Sequence, residues 1–247
     1  MTYSPPDSQE TQPGDAAQAP PLLITDEMLL PRQPIETRID FERGLSYLPP
    51  LTLVLIVVNL AIYVWELASG ALDSEQALVA AGALVRERVL QGEVFRVVTA
   101  MFLHAGVEHL VGNCVVLYVL GMACEHGYGT ARTAVIYFAS GICGSLLSMT
   151  FHPGPSVGAS GAIFGLCAAV IIFFLKYQRL FFLRDKRIGF VLLFWAIYSV
   201  GTGFLSPQID NFAHIGGFVG GAIAGAVLPR RSRPELAQAF AVIVKKT

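Results

Sequence analysis

Residues 133–175 read TAVIYFASGICGSLLSMTFHPGPSVGASGAIFGLCAAVIIFFL, and these 43 residues contain no Asp, Glu, Lys or Arg. One helix needs about 20 apolar residues to cross the hydrocarbon core of a bilayer, so the stretch is long enough for two helices. The segment 152–156 in its middle, His-Pro-Gly-Pro-Ser, is rich in residues that end helices. The stretch therefore predicts two membrane-spanning helices, at 132–151 and 158–176, joined by a turn.

The composition of the whole chain has the same character. Of its 247 residues, 54% are hydrophobic and 14% are Asp, Glu, Lys or Arg, whereas about 25% are charged in an ordinary soluble domain. The mean hydropathy is +0.58. The net charge of −1 excludes the basic footprint of a nucleic-acid-binding protein. Because the apolar runs do not alternate in polarity as barrel strands would, we predict an all-α polytopic membrane protein.

Four further apolar stretches complete a predicted bundle of six transmembrane helices. They lie at about 50–69, 106–124, 188–205 and 211–228, and the second is the weakest because Glu108 interrupts it. Residues 1–45 are rich in Pro, Ser, Gln, Ala and Asp, which predicts a disordered tail and not a signal peptide. We therefore expect a membrane domain over 46–230, between that tail and a short C-terminal tail at 231–247.

The basic residues predict the orientation of the six spans. Of the 17 Lys and Arg residues, 14 lie in the two tails and in the connections on their side of the membrane, and only Arg86, Arg88 and Arg96 lie on the other side. Basic residues concentrate on the cytoplasmic side. Both termini are therefore expected in the cytoplasm, with the segment 70–105 facing outward. The six-span form without an organelle presequence favours a bacterial plasma membrane.

Four polar side chains are predicted at one depth, near the outer ends of three spans. His109 and Asn113 lie in the second span, Ser160 begins the fourth and His214 begins the sixth. Polar groups at membrane depth are costly, and several that converge indicate a functional site. The alternative for each one taken singly is structural, because His and Asn often form interhelical hydrogen bonds and a serine among small residues is a packing position.

The spacing favours a shared site. His109 and Asn113 are four residues apart, so their side chains leave the same face of a helix. Ser160, at a helix start, has free backbone N–H groups beside it that can stabilise a developing oxyanion. Two series of G-x-x-x-G steps, which let helices approach closely, flank Ser160 and His214. They consist of Gly161 and Gly165 on the fourth span, and of Gly217, Gly221 and Gly225 on the sixth.

A set of short motifs follows in order from about Gly82 to Leu228. They are GEVFRVVT at 92–99, FLH at 102–104, HLVGN at 109–113, G-x-x-x-E-x-x-x-G at 121–129, GASG at 158–161 and AHIGG at 213–217. Taken together and in this order, they resemble the rhomboid family of intramembrane serine proteases. The resemblance implies a rhomboid-type bundle of six transmembrane helices.

The resemblance also implies a role for each matching residue. Ser160 corresponds to the nucleophile and His214 to the general base, a dyad that lacks the acidic third member of a triad. His109, Asn113 and the Ser160 backbone N–H correspond to the oxyanion site. Structural motif positions are implied at Arg96, His104, Glu125, Gly158, Gly161, Gly217 and Gly221.

Two positions depart from the family pattern. Phe95 stands where the family often has Trp, and Phe164 stands where many bacterial members have a Tyr that packs on the base histidine. Asp210, one helical turn before His214, is a minority candidate for a third catalytic member, but we expect it in the outer loop, facing water. Lys176 is excluded as a base because 16 residues place it about 24 Å from Ser160 along the same helix.

The resemblance implies an endopeptidase that cleaves single-span membrane proteins near the outer face, at small residues followed by helix-weakening ones. Its partners would be such substrates and membrane lipids, with no nucleic acid, and the sequence sets no oligomeric state. No metal or organic cofactor is expected, and the four cysteines lack the spacing of a zinc site. The alternative is a rhomboid-like protein that binds membrane clients without cutting them, although such relatives usually lack the nucleophile or the histidine. A small transporter is disfavoured because no inverted repeat is evident.

Overall fold

The computed structural model describes residues 40–206 and 209–232. Within these ranges the chain forms nine helices, and one isolated antiparallel bridge joins Leu84 and Ser156. The helices are α1 (Pro50–Ser69), α2 (Glu75–Ala81), α3 (Arg86–Leu90), α4 (Arg96–Thr99), α5 (Val107–Tyr128), α6 (Thr130–Phe151), α7 (Ser160–Lys176), α8 (Leu183–Gly203) and α9 (Asn211–Val227). The prediction of an all-α chain is confirmed for the described residues.

Six of these helices correspond to the predicted spans. The helices α1, α5 and α6 have 20, 22 and 22 residues and are long and apolar enough to cross a membrane. The shorter apolar helices are α7, α9 and the part of α8 at Arg187–Gly203. At 17 residues, α7 and α9 lie at the lower end of the length range of spanning helices. The short helices α2, α3 and α4 lie in the segment 70–105, which the sequence predicted only as an outward-facing connection.

The junction of α5 and α6 lies further along the chain than expected. The predicted span ended at residue 124, yet α5 continues through Glu125 to Tyr128. The buried Glu125 carboxylate accepts hydrogen bonds from the Thr52 backbone N–H at 2.8 Å and from the hydroxyls of Thr52 and Thr130 at 2.7 and 2.9 Å. Because the start of α1 satisfies this carboxylate, the helix can bury it. Gly129, with a φ of 87°, then turns the chain into α6.

The helix α7 lies at the centre of the bundle. All of its residues from Gly161 to Ile171 are buried, and α5, α6, α8 and α9 pack around it. A helix that is apolar on every face must be enclosed on all sides, which the sequence of α7 satisfies. The position of α7 is therefore fixed by four neighbouring helices.

Glycines bring α9 into backbone contact with α6 and α7. A Cβ at Gly217 would overlap the backbone oxygen of Gly161, and one at Gly144 would lie 2.7 Å from the backbone oxygen of Ala213. A Cβ at Gly221 would likewise overlap the backbone oxygen of Gly165. Small residues permit this close approach of membrane helices. As a result, the first turn of α9 lies directly beside the start of α7.

Phe41 packs against the end of the bundle opposite Ser160. Its ring centroid lies 4.9 to 5.8 Å from those of four aromatic side chains, His126, Phe173, Phe174 and Phe181. Its backbone N–H donates to Asp185 Oδ2 at 3.0 Å. The sequence placed Phe41 within the tail at 1–45, so the last residues of that segment are packed on the bundle. The rest of the predicted tails, residues 1–39 and 233–247, lies outside the described residues.

Candidate active site

The loop that leads into Ser160 is held by backbone hydrogen bonds. Leu84 and Ser156 exchange two such bonds of 2.9 and 3.0 Å, and the Gly158 N–H donates to the Ala100 oxygen at 2.8 Å. Gly158 has a φ of 122°, a backbone conformation that residues other than glycine rarely adopt. Ser160 is the first residue of α7, and the N–H groups in the first turn of a helix have no acceptor within that helix.

His214 lies in the first turn of α9 and faces Ser160. Its Nε2 atom lies 2.9 Å from Ser160 Oγ, although the two residues are 54 positions apart in the chain. The ring stacks on Phe164, with centroids 4.3 Å apart and planes at 12°. Phe164 also stacks on Trp195 of α8. Phe164 thus supplies the aromatic face that a Tyr at this position would supply, but it lacks the Tyr hydroxyl.

His109 and Asn113 meet the same loop from α5. A Cβ placed on Gly158 would lie 2.6 Å from His109 Cε1, 2.8 Å from His109 Nε2 and 3.5 Å from Asn113 Nδ2. The Asn113 side chain is buried, and its Nδ2 group has no acceptor among the described residues. His109 and Asn113 therefore lie beside Gly158, two residues before Ser160, whose hydroxyl contacts His214. Only a glycine at position 158 leaves this space open.

Asp210 does not complete a triad. It is the N-cap of α9, where its side chain accepts the Ala213 N–H at 3.0 Å, and it also accepts a hydrogen bond from the Ser148 hydroxyl. The His214 Nδ1 atom has no hydrogen-bond partner within the described parts of the chain. The expectation that Asp210 faces water was wrong, because helix capping and the contact with α6 turn its carboxylate inward.

Arg96 organises the segment between α2 and α4. Its buried guanidinium donates to the backbone oxygens of Val79 and Ala83 at 2.6 and 2.8 Å, and its Nε donates to Glu93 Oε2 at 2.7 Å. The hydrogen bond from Arg96 holds the pKa of the Glu93 carboxyl below its ordinary value. The Arg96 guanidinium also lies 5.5 Å from the centroid of the Phe95 ring. Phe95 therefore offers an aromatic face at the position where the family often has Trp.

Glu66 was not predicted as part of the site, but its buried carboxylate contacts His104. Its two carboxylate oxygens accept the backbone N–H of His104 at 3.0 and 3.2 Å. The His104 ring packs edge-on against His109, with centroids 5.2 Å apart, so Glu66 supports the position of His109 through His104. The signal was available, since Glu66 is an acidic residue inside a predicted span.

A small cavity of about 20 Å³ lies beside the loop at 156–158 and the first turn of α7. Its walls are mostly small or apolar, namely Leu84, Ala100, Met101, Gly141, Ser145, Ser156, Val157, Gly158, Gly161, Ala162 and Ala213.

Lys176 lies at the opposite end of α7, where its Nζ donates to the Ala226 oxygen at 2.7 Å. A serine hydroxyl, an imidazole within hydrogen-bond distance and nearby amide donors are the groups that acyl transfer requires.

The sequence is similar to known proteins over this same region. Residues 91–231 match the family described as Rhomboid, a rhomboid domain. The chain is 39% identical over 180 residues to the rhomboid protease GluP of Bacillus subtilis, covering 73% of this chain and 35% of GluP. It is 33% identical over 215 residues to the rhomboid protease AarA of Providencia stuartii, covering 74% and 75% of the two chains. It is 42% identical over 164 residues to RHOMBOID-like protein 7 of Arabidopsis thaliana, covering 65% and 50%.

The chain thus spans about a third of GluP and half of RHOMBOID-like protein 7, but three quarters of AarA. The matched region contains the candidate site and the helices that carry it. Together with the apolar helices, the match confirms the predicted class, an all-α polytopic membrane protein with a rhomboid-type bundle. The chain belongs to the rhomboid family.

Proposed function

We propose that this protein is an intramembrane serine endopeptidase that uses Ser160 and His214 as a catalytic dyad. The observation that carries the proposal is the 2.9 Å contact between Ser160 Oγ and His214 Nε2, which joins the starts of α7 and α9. A general base must lie within about 2.6–3.2 Å of the proton that it takes. Relatives named as rhomboid proteases, GluP and AarA, support the same assignment.

In the proposed mechanism, Ser160 attacks a peptide carbonyl and transfers its proton to His214. The carbonyl carbon forms a bond to Oγ, and the negative charge moves to the carbonyl oxygen. His109, Asn113 and the Ser160 backbone N–H then stabilise this oxyanion. His214 returns the proton to the leaving amine, and an acyl-enzyme forms. A water molecule activated by His214 hydrolyses the acyl-enzyme and restores Ser160.

The proposed substrates are single-span membrane proteins that are cut near the outer face. The cavity beside Ser160 is lined by small residues such as Gly158, Gly161 and Ala162. This lining favours a small substrate residue at the cut. A helix keeps its carbonyls in internal hydrogen bonds, so the segment at the cut must unwind before Ser160 can attack. Helix-weakening residues beyond the cut lower the cost of unwinding. We also place both termini in the cytoplasm and the protein in a bacterial plasma membrane.

The proposal is tested by cleavage of a single-span substrate in liposomes that contain the purified protein. Ser160→Ala removes the nucleophile and His214→Ala removes the base, so each variant should lose activity by at least about a thousandfold. Ser69→Ala, which changes an exposed serine at the end of α1, is the matched control and should keep full activity. Cleavage by Ser160→Ala at the wild-type rate would reject the dyad. An inert wild-type protein that still binds the substrate would favour the non-cleaving alternative.

A further inference from the structure

The dyad mechanism does not use a second polar cluster, which joins the end of α6 to the start of α9. It consists of Ser148 in the last turn of α6, His152 directly after that helix, and Asp210, the N-cap of α9. The Asp210 carboxylate accepts hydrogen bonds from the Ser148 hydroxyl and from the Ala213 N–H. His152 Nδ1 lies 4.0 Å from Asp210 Oδ1. One carboxylate therefore contacts three parts of the chain.

This cluster is shielded from solvent. Ser148 is 2% exposed, and the side chains of Asp210 and His152 are 11% and 16% exposed. Hydrogen bonds to a carboxylate are stronger than those between neutral groups, and exclusion of water strengthens them further. The cluster is thus a strong point of attachment at the outer end of α9. It differs from the rest of the α6–α9 interface, where glycines such as Gly144 and Gly216 place backbone against backbone.

The attachment acts on the turn that carries His214. Asp210 holds the N–H of Ala213, the residue before His214, and the His214 N–H bonds to the Asp210 backbone oxygen at 3.3 Å. The bond to Ser148 fixes this turn relative to α6. Since α6 and α7 both pack on α9, the position of Asp210 sets where the imidazole lies relative to Ser160. A displacement of about 1 Å at a catalytic group can reduce the rate by about a hundredfold.

We propose that Asp210, through its hydrogen bond to Ser148, is a positioning residue that holds His214 in register with Ser160. It acts on the backbone of the first turn of α9 and does not contact the imidazole as a triad acid would. The proposal rests on the proposed peptidase function. It adds Asp210 and Ser148 to the residues that determine the rate of that reaction.

The test separates helix capping from the bond to α6. Asp210→Ser retains an N-cap side chain but is too short to reach Ser148. Asp210→Asn retains the cap, and its amide can donate to the Ser148 oxygen. Ser148→Ala removes the partner. Each variant is purified as the full chain, its active sites are titrated with a fluorophosphonate, and kcat per titrated site and KM are measured on the same membrane substrate.

We expect Asp210→Ser and Ser148→Ala each to lower kcat per titrated site by about tenfold with KM unchanged. The double variant should be no slower than the slower single variant, because both changes remove the same bond. Asp210→Asn should stay within about twofold of the wild type. Loss of a merely structural contact would instead lower the number of titrated sites and leave kcat per site unchanged.

Two controls match the chemistry of these changes. Ser74→Ala removes the N-cap of α2 in the segment 70–105, and Thr150→Ala removes a hydroxyl from an exposed position of α6. Both should keep the wild-type kcat. Unchanged kcat in Asp210→Ser and Ser148→Ala would overturn the positioning role while the dyad stands. A wild-type protein that is neither active nor titrated would overturn the proposed function, and the positioning role with it.

Discussion

Substitution of Phe164 tests most clearly how the His214 imidazole is held in place. Its stack on His214, at 4.3 Å and 12°, fixes the plane of the ring that exchanges a proton with Ser160 in the proposed mechanism. Aromatic pairs contribute about 0.5–1.5 kcal/mol beyond their buried area, which corresponds to a change in rate of up to about tenfold. Phe164→Leu should therefore lower kcat by up to about tenfold, measured on the membrane substrate.

Phe164→Tyr is the matched control, because it keeps the aromatic face and restores the residue that many family members have. We expect it to cleave at close to the wild-type rate. If Phe164→Leu were as active as the wild type, the stack would have no part in orienting His214. If Phe164→Tyr were inactive, the pocket around position 164 would have to be tighter than the contacts indicate.

The buried His104 imidazole makes the stability of the fold depend on pH. Burial, with a smaller effect of the neighbouring His109, lowers the pKa of its imidazole from 6.5 to about 4. The unfolded chain therefore takes up a proton near pH 6.5, whereas the folded chain resists protonation until about pH 4. The free energy of unfolding should fall as the pH decreases between these values, by about 3 kcal/mol in total from this group.

The measurement is the thermal midpoint of the purified protein between pH 8 and pH 4.5, for the wild type and for His104→Gln. The substitution removes the titrating group, so the midpoint of the variant should decrease less steeply below pH 6.5. Parallel curves for the two proteins would show that His104 does not control the loss of stability in acid.

Which residues meet could be predicted better than how their side chains point. Ser160, His214, His109 and Asn113 could be placed together because helix spacing and span ends define depth. Asp210 was misjudged, because a residue at a loop–helix boundary can face water or cap the helix, and only its contact with Ser148 on another helix decides between these. Contacts between helices depend on rotation about the helix axes, which composition does not set.

At the scale of the elements, the predicted spans fall on helices but their ends differ. α7 begins at Ser160 and not at residue 158, because the backbone of Gly158 lies outside the helical region. α8 begins at Leu183, five residues before the predicted 188. The predicted second span ended before Glu125, and the predicted fifth span began after Arg187. A membrane helix can include charged residues at its ends, where their side chains reach water or, as at Glu125, accept hydrogen bonds from neighbouring helices.

The contact between α7 and α9 gives a prediction for the glycines. A Cβ at Gly217 would overlap the backbone oxygen of Gly161, so Gly217→Ala must separate the two helices near the dyad. Overpacking of this kind costs about 1–3 kcal/mol. We expect a lower thermal midpoint and a loss of most peptidase activity. Gly201→Ala in α8, where a Cβ would have no heavy atom within 4 Å, is the control.

Gly201→Ala should be neutral or slightly stabilising, because alanine favours a helix over glycine by up to about 1 kcal/mol. Both variants are compared in the same detergent for thermal midpoint and cleavage rate. An active Gly217→Ala with an unchanged midpoint would mean that α7 and α9 do not touch through their backbones. A similar loss in Gly201→Ala would show that any added methyl group is harmful.

At the scale of the whole molecule, the charge distribution predicts which side of the membrane each end faces. The segment 70–105 should lie outside the cell, and Ser232 should lie in the cytoplasm with the basic residues around it. A membrane-impermeant maleimide should therefore label Ser74→Cys in intact cells, and Ser232→Cys only after the cells are opened. The wild-type chain, whose four cysteines lie in the predicted spans, gives the background. The reverse pattern would invert the orientation.

The whole bundle could be anticipated because membrane spans are long and apolar, whereas the packed end of the N-terminal segment could not. Phe41 is one aromatic residue in a stretch with the composition of a disordered tail. Its burial depends on Phe173, Phe174 and Phe181, which lie more than 130 positions further along the chain. A window of neighbouring residues contains no sign of such a distant partner.

The most direct measurement of the central claim is labelling of the protein in membranes with a fluorophosphonate, followed by peptide mapping. The contact between Ser160 and His214 predicts one modified residue, Ser160, and no labelling of Ser160→Ala. It also predicts that His214→Ala, which keeps the serine but lacks its base, is labelled far more slowly. Labelling of His214→Ala at the wild-type rate, or the same labelling in Ser160→Ala, would contradict the claim that these two residues act together.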